Sequence, residues 1–242
     1  MVLHGDLRCS GAVGAAKLRA RMWSTVYASP WHHPGIAWAA VVVGALLLAT
    51  RLRFLAGYLV VFGVALAADA LASAPFTRLP SAAGTALGVT FVIAGDLRFF
   101  LLVERCASQR GLDFRAFALA VGSAFMVPLT STAIRLAVPA VAETARLQYL
   151  VYEGLFVLLA LAWRFVVLPA RLRSTPPEVR RWALGLATFV LGQYVLWVVA
   201  DVLLLAGHDA AFALRLVPNV LYYALFLPFV YVTAPAEEKS FR

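Results

Sequence analysis

Residues 182–206 read WALGLATFVLGQYVLWVVADVLLLA, an apolar run carrying a single charge, Asp201. About 20 predominantly apolar residues suffice for a helix to cross the hydrocarbon core of a bilayer. Working outward from this run, the same criterion finds six more: Ile36–Thr50, Phe54–Ala74, Ala83–Val103, Ala116–Val138, Leu147–Leu168 and Ala211–Val232. The first is short and opens at Pro34, a favourable helix start. The links are brief: Arg51 to Arg53, Pro75 to Ser81, and Ser174-Thr175-Pro176-Pro177. The expected fold is therefore all-α, a polytopic bundle of seven transmembrane helices over residues 36–232. A segment over 1–35 precedes it and a tail over 233–242 follows.

Composition agrees with the pattern. Of the 242 residues, 63% are hydrophobic and only 14% are charged, with a mean hydropathy of +0.86. A soluble domain carries about 25% charged residues. This chain lacks the polar surface to coat a water-soluble globule, which excludes a soluble enzyme, a secreted disulfide scaffold and a disordered protein. The formal charge of +9 reads as basic loops facing anionic lipid headgroups rather than nucleic acid, since no zinc-finger or RNA-binding signature accompanies it. Cys9 and Cys106 fall on opposite sides of the expected bundle, so a disulfide between them is not expected. Membrane lipids and a small-molecule ligand are the expected partners. No cofactor or metal is implied, and no protein partner is indicated.

Lys and Arg in short loops set orientation. One side would carry Arg51, Arg53, Arg105, Arg110, Arg115, Arg164, Arg171, Arg173, Arg180, Arg181, Lys239 and Arg242. The other would carry Arg78, Arg146 and Arg215, with Arg8, Lys17, Arg19 and Arg21 of the N-terminal segment. That is 12 against 7. It predicts a plasma- or inner-membrane protein with its N-terminus outside and its C-terminus in the cytoplasm. The four N-terminal bases are discordant, and the segment lacks the apolar core of a signal peptide. Either Met22 is the true start, or downstream charge overrides an interfacial stretch.

Ionisable groups inside a bilayer are expensive and mark functional candidates. Asp69, Arg135, Glu153 and Asp201 lie in the outer part of four spans, with Asn219 and Tyr222 in a fifth. Helical spacing puts Tyr194, Trp197 and Asp201 on one face, as it does Tyr149, Tyr152 and Glu153. Carboxylates beside aromatic rings bind cations by charge and by cation–π attraction. The sequence thus predicts an outward-opening cavity surrounded by Asp69, Arg135, Glu153 and Asp201, with Tyr152, Tyr194, Trp197, Asn219 and Tyr222 on its wall. Asp96 and Arg98, two residues apart, point to different faces. Arg98 is expected to snorkel towards the cytoplasmic headgroups. Asp96 needs a partner from another helix, for which Gln193 is the candidate, in a proton relay or a helix clamp.

Several classes are disfavoured. The lysines, Lys17 and Lys239, lie outside the spans, so no retinal Schiff base can form there. His4, His32, His33 and His208 lie in loops or tails, which leaves an intramembrane zinc hydrolase or Ser–His protease without its histidine. No phosphate-binding or dinucleotide glycine pattern appears. Ala68-Asp69-Ala70-Leu71 and Ala200-Asp201-Val202-Leu203 lie at similar depth in parallel spans. They are compatible with a 3+1+3 parallel repeat, a plan in which a ligand site lies between the halves. Pro128, Pro218 and Pro228 supply kinks for motion.

The first functional expectation is a transporter or binding protein for a small cationic or amphipathic ligand. The same two aspartates, each followed by small and leucine residues, resemble the lysoplasmalogenase type of membrane hydrolase, with Ala68 where that family has glycine. That resemblance implies a lipid hydrolase with Asp69 and Asp201 as a catalytic acid–base pair. A sensor or an accessory subunit of a membrane complex is the third alternative.

Overall fold

The computed structural model describes residues 22–29, 32, 36, 40, 43, 56–108 and 112–236. Among them there is no strand. A helical turn over residues 22–27 precedes the main elements. These are α1 (Ala56–Ala72), α2 (Ser81–Ala107), α3 (Phe114–Ala137), the short α4 (Pro139–Glu143), α5 (Ala145–Arg171), α6 (Pro177–Leu205) and α7 (Ala211–Thr233). Five of them, α2, α3, α5, α6 and α7, are long and apolar enough to cross a membrane. The expected second span corresponds to the 17-residue α1, whose C-terminal end falls two residues before the predicted Ala74. The expected first span, Ile36–Thr50, lies almost wholly outside the described residues, although Ile36, Ala40 and Val43 are helical.

Local chemistry sets the helix ends. The Asp113 carboxylate accepts a hydrogen bond from the Ala116 N–H at 2.8 Å, so α3 begins on a capped turn. Pro177 opens α6, where its missing N–H costs nothing. Gly207 closes α6 with φ +86°. Its N–H donates to the Leu204 carbonyl, and that of His208 donates to Leu203, which is the Schellman arrangement. That tight reversal aligns the end of α6 with the start of α7.

Two helices contain a π turn, Trp163–Val167 in α5 and Leu221–Leu225 in α7. A proline follows each, Pro169 and Pro228. A proline ring presses on the carbonyl four residues back. Here that residue is Phe165 or Ala224, inside the π turn. The strain is absorbed by widening the helix rather than by breaking it.

Packing runs α2 along α3, α5 along α6, and the first half of α7 along α6, with α1 against α2. Phe100, Phe156, Leu102, Leu186 and Phe226 fill the interior. Phe156 stacks on Tyr194 with ring centroids 4.0 Å apart. The outer surface keeps Val61, Val64, Leu129, Phe165 and Val166 exposed, an apolar surface that lipid can cover. The links 73–80, 138–144 and 206–210 lie at one end of the bundle, and the end of α2, the start of α3 and the link 172–176 at the other.

Candidate functional site

Three polar groups lie inside this frame. The first is at the 206–210 end. The α6–α7 reversal brings Asp201 opposite Arg215, and Oδ1 of Asp201 accepts from the Arg215 guanidinium. The same oxygen accepts from Arg146 Nη1 at 3.1 Å. Arg215 Nη2 reaches Glu153 Oε1 at 3.0 Å. The Arg215 guanidinium also donates to the Tyr27 hydroxyl and lies 5.4 Å from the Tyr149 ring. Two guanidiniums and two carboxylates make a charge-balanced quartet. Arg215, Glu153 and Asp201 are buried, Asp201 fully, while Arg146 is partly exposed, and Glu153 Oε2 and Asp201 Oδ2 accept no hydrogen bond.

The second group centres on Asp96, midway along α2 and 2% exposed. Tyrosine hydroxyls from three other helices donate to its carboxylate. Tyr152 of α5 reaches Oδ2 at 2.5 Å, and Tyr194 of α6 reaches Oδ1 at 2.6 Å. Tyr222 of α7 meets Oδ1 at a long 3.4 Å and shares its proton with the Val92 carbonyl at 3.3 Å. Gly95 makes room for that ring. A Cβ there would fall on the Tyr222 hydroxyl and 2.6 Å from its Cζ. Gln193, expected as the partner of Asp96, instead lines a small cavity beside it, and its Oε1 accepts no hydrogen bond. Tyrosine hydroxyls, which reach further across the helix gap, occupy the carboxylate instead.

Arg98 does not snorkel. Its Nη2 donates to the Tyr222 carbonyl at 2.5 Å, and its guanidinium lies 4.3 Å from the Tyr222 ring and 4.5 Å from that of Phe226. These contacts hold the charge inside the bundle, 2% exposed. The Arg98 carbonyl accepts from the Tyr58 hydroxyl at 2.9 Å, which ties α1 to α2.

The third group links the other two. Trp197 Nε1 donates to Asn219 Oδ1 at 2.8 Å, and Asn219 Nδ2 lies 3.1 Å from His32 Nε2. The Trp197 ring is 5.1 Å from Tyr194 and 5.4 Å from Tyr222. Polar and aromatic side chains therefore run without a break from the quartet to Asp96.

The predicted single cavity is thus two clusters and a bridge. Glu153 and Asp201 come together. Tyr152, Tyr194 and Tyr222 gather on Asp96, and Trp197 and Asn219 bridge. Asp69 is buried against another small cavity with Phe62, Phe91 and Tyr223. It is not part of the quartet. Arg135 is exposed on α3, and Arg215 with Arg146 supplies the cations instead. A signal for Arg215 was present: it lies four and seven residues before Asn219 and Tyr222, on the same helical face. Among the described residues no three His, Cys, Asp or Glu side chains converge.

At the opposite end Arg171 grips the fully buried Glu104 with both guanidinium nitrogens, one of them at 2.6 Å. This bidentate pair ties α5 to α2.

Fold and composition together define a helical, membrane-type protein. Comparison with known protein families, with curated proteins and with solved structures finds no match to this chain.

Proposed function

We propose that the protein is an integral membrane transporter or small-molecule-binding protein, with its ligand site in the polar interior around Asp96 and the ion quartet as the outer closure. The observation that carries this reading is the environment of Asp96. A carboxylate at the centre of a spanning helix costs roughly 3 kcal/mol on insertion scales. A clamp built only for stability would be served as well by apolar packing. Instead four helices spend side chains on one acid, with Gln193 and Arg98 beside it. A cationic ligand is better served there than at the quartet, whose charges already cancel.

Seven crossings and an external N-terminus fit the same picture. Tyr27 and His32 touch Arg215 and Asn219 near the 206–210 end. Tyr58 contacts Arg98, deeper in the bundle. The helical Ala40 between them is buried in the common core. These contacts support a crossing before α1, and so the count, and the charge bias of the loops supports the orientation. The 3+1+3 plan has weaker support, because Asp69 and Asp201 occupy unlike surroundings. For the same reason a shared acid–base role for these two residues is disfavoured.

Reconstitution into proteoliposomes tests the reading. Uptake of at least one member of a panel of amines, choline and sugars is expected. No uptake and no binding across the panel would retire it.

A further inference from the structure

We propose that the two small cavities on either side of Tyr222 are halves of one ligand chamber, and that the chamber takes a small protonated amine bearing at least one N–H. This rests on the transporter or binding-protein reading and names its ligand class.

One cavity, of about 10 Å³, is lined by Asp96 and Gln193. The other, of about 20 Å³, is lined by Asp69 and Tyr223. Gly95, Arg98 and Tyr222 line both. Either alone holds a water or two. Tyr222 is the bulky, rotatable member of that shared wall.

Tyr222 is the least firmly held of the three tyrosines on Asp96. Its two hydroxyl contacts are 3.3 and 3.4 Å, against 2.5 and 2.6 Å for Tyr152 and Tyr194. It sits in the π turn of α7, where the helix has an extra residue to redistribute. With the ring turned aside, Asp69, Asp96, Arg98 and Gln193 face one space. Among the described residues that line it, the charged side chains are two carboxylates and one guanidinium, a lining that favours a cation over an anion.

Gln193 selects among cations. Gln193 is 1% exposed and lines the Asp96 cavity, and its Oε1 accepts no hydrogen bond. A buried acceptor of this kind is satisfied by a donor. A primary or secondary ammonium supplies one, and a quaternary ammonium does not. Ring faces of Phe91, Tyr223 and Phe226 offer the cation–π wall for either.

The test compares phenethylamine with its N,N,N-trimethyl analogue on the full chain in lipid nanodiscs. Phenethylamine is expected to bind at least about tenfold more tightly, the worth of one hydrogen bond to a charged group. Gln193→Met, close in size, is expected to bring the ratio near one. Asp69→Asn and Asp96→Asn are each expected to weaken amine binding, while Tyr222→Ala, which joins the cavities, is expected to tighten it. Each variant is checked for monodispersity and thermal stability, and Gln193→Leu replaces Gln193→Met if the latter does not fold. Discrimination that survives whichever Gln193 substitution folds, or amine binding indifferent to Asp69→Asn, overturns the chamber. In that case uptake of any compound would leave the transporter reading standing. Absence of all binding and all uptake overturns both.

Discussion

Gly95 and Tyr222 are a single fitted contact, and the fit has a measurable cost. Gly95→Ala forces the Tyr222 ring off Asp96 and is expected to destabilise by about 1–3 kcal/mol, as overpacked cores do. Gly88→Ala, where an added Cβ meets nothing, is expected to be neutral or slightly stabilising because alanine favours helix. Thermal unfolding in detergent reads both. Adding Tyr222→Ala to Gly95→Ala should recover most of the loss, a coupling that independent sites would lack. Arg215 and Arg135 make a second contrast. Arg215→Leu strands the buried Glu153, leaves Asp201 with Arg146 alone, and is expected to cost about 3–5 kcal/mol. Arg135→Leu, at an exposed site, should stay within about 0.5 kcal/mol. Comparable losses at the two arginines would contradict the quartet. At this scale the sequence showed which side chains share a face, as with Tyr194, Trp197 and Asp201. It did not show which faces meet. Whether Asp96 finds Gln193 or Tyr194 depends on the register between α2 and α6, and no periodicity within one helix encodes that.

The five long spans were legible because apolar length is a local signal, but the helix starts at Asp113 and Pro177 were not read, and α6 begins five residues before the expected Trp182. The π turns were not legible. Widening a helix by one residue changes no composition, and Pro169 and Pro228 read equally well as simple kinks. Yet the π turn in α7 holds Tyr222 and the carbonyl that Arg98 uses. The α6–α7 reversal is the other element on which the site depends. Gly207 holds a positive φ that a side chain resists. Gly207→Ala is therefore expected to lower stability by about 1 kcal/mol. It should also loosen the Asp201–Arg215 pair across that reversal. Faster hydrogen exchange at the start of α7 would register the loosening, and unchanged exchange with unchanged stability would contradict it.

For the whole molecule, composition alone pointed to lipid, and the exposed apolar surface of α3 and α5 agrees with it. The basic loops make the orientation testable. With Cys9 and Cys106 replaced by serine, Glu143→Cys in the 138–144 link should label from outside intact cells with an impermeant maleimide. Arg173→Cys should label only after permeabilisation. The reverse pattern would invert the proposed topology. The proposed ligand site was harder to see than the fold because the walls of the 10 and 20 Å³ cavities beside Tyr222 come from α1, α2, α5, α6 and α7. Residues on five helices share no motif.

Asp96 decides whether this interior works or merely holds the bundle together. Asp96→Asn keeps the side chain's size and one oxygen for the tyrosine donors while removing the charge. The direct measurement is phenethylamine uptake into proteoliposomes by the unaltered chain and by Asp96→Asn, with thermal stability measured on the same preparations. Uptake by the unaltered chain that falls at least about tenfold in the variant, with stability nearly retained, is the expected result. Uptake undiminished by Asp96→Asn would contradict a ligand site at the centre of the bundle.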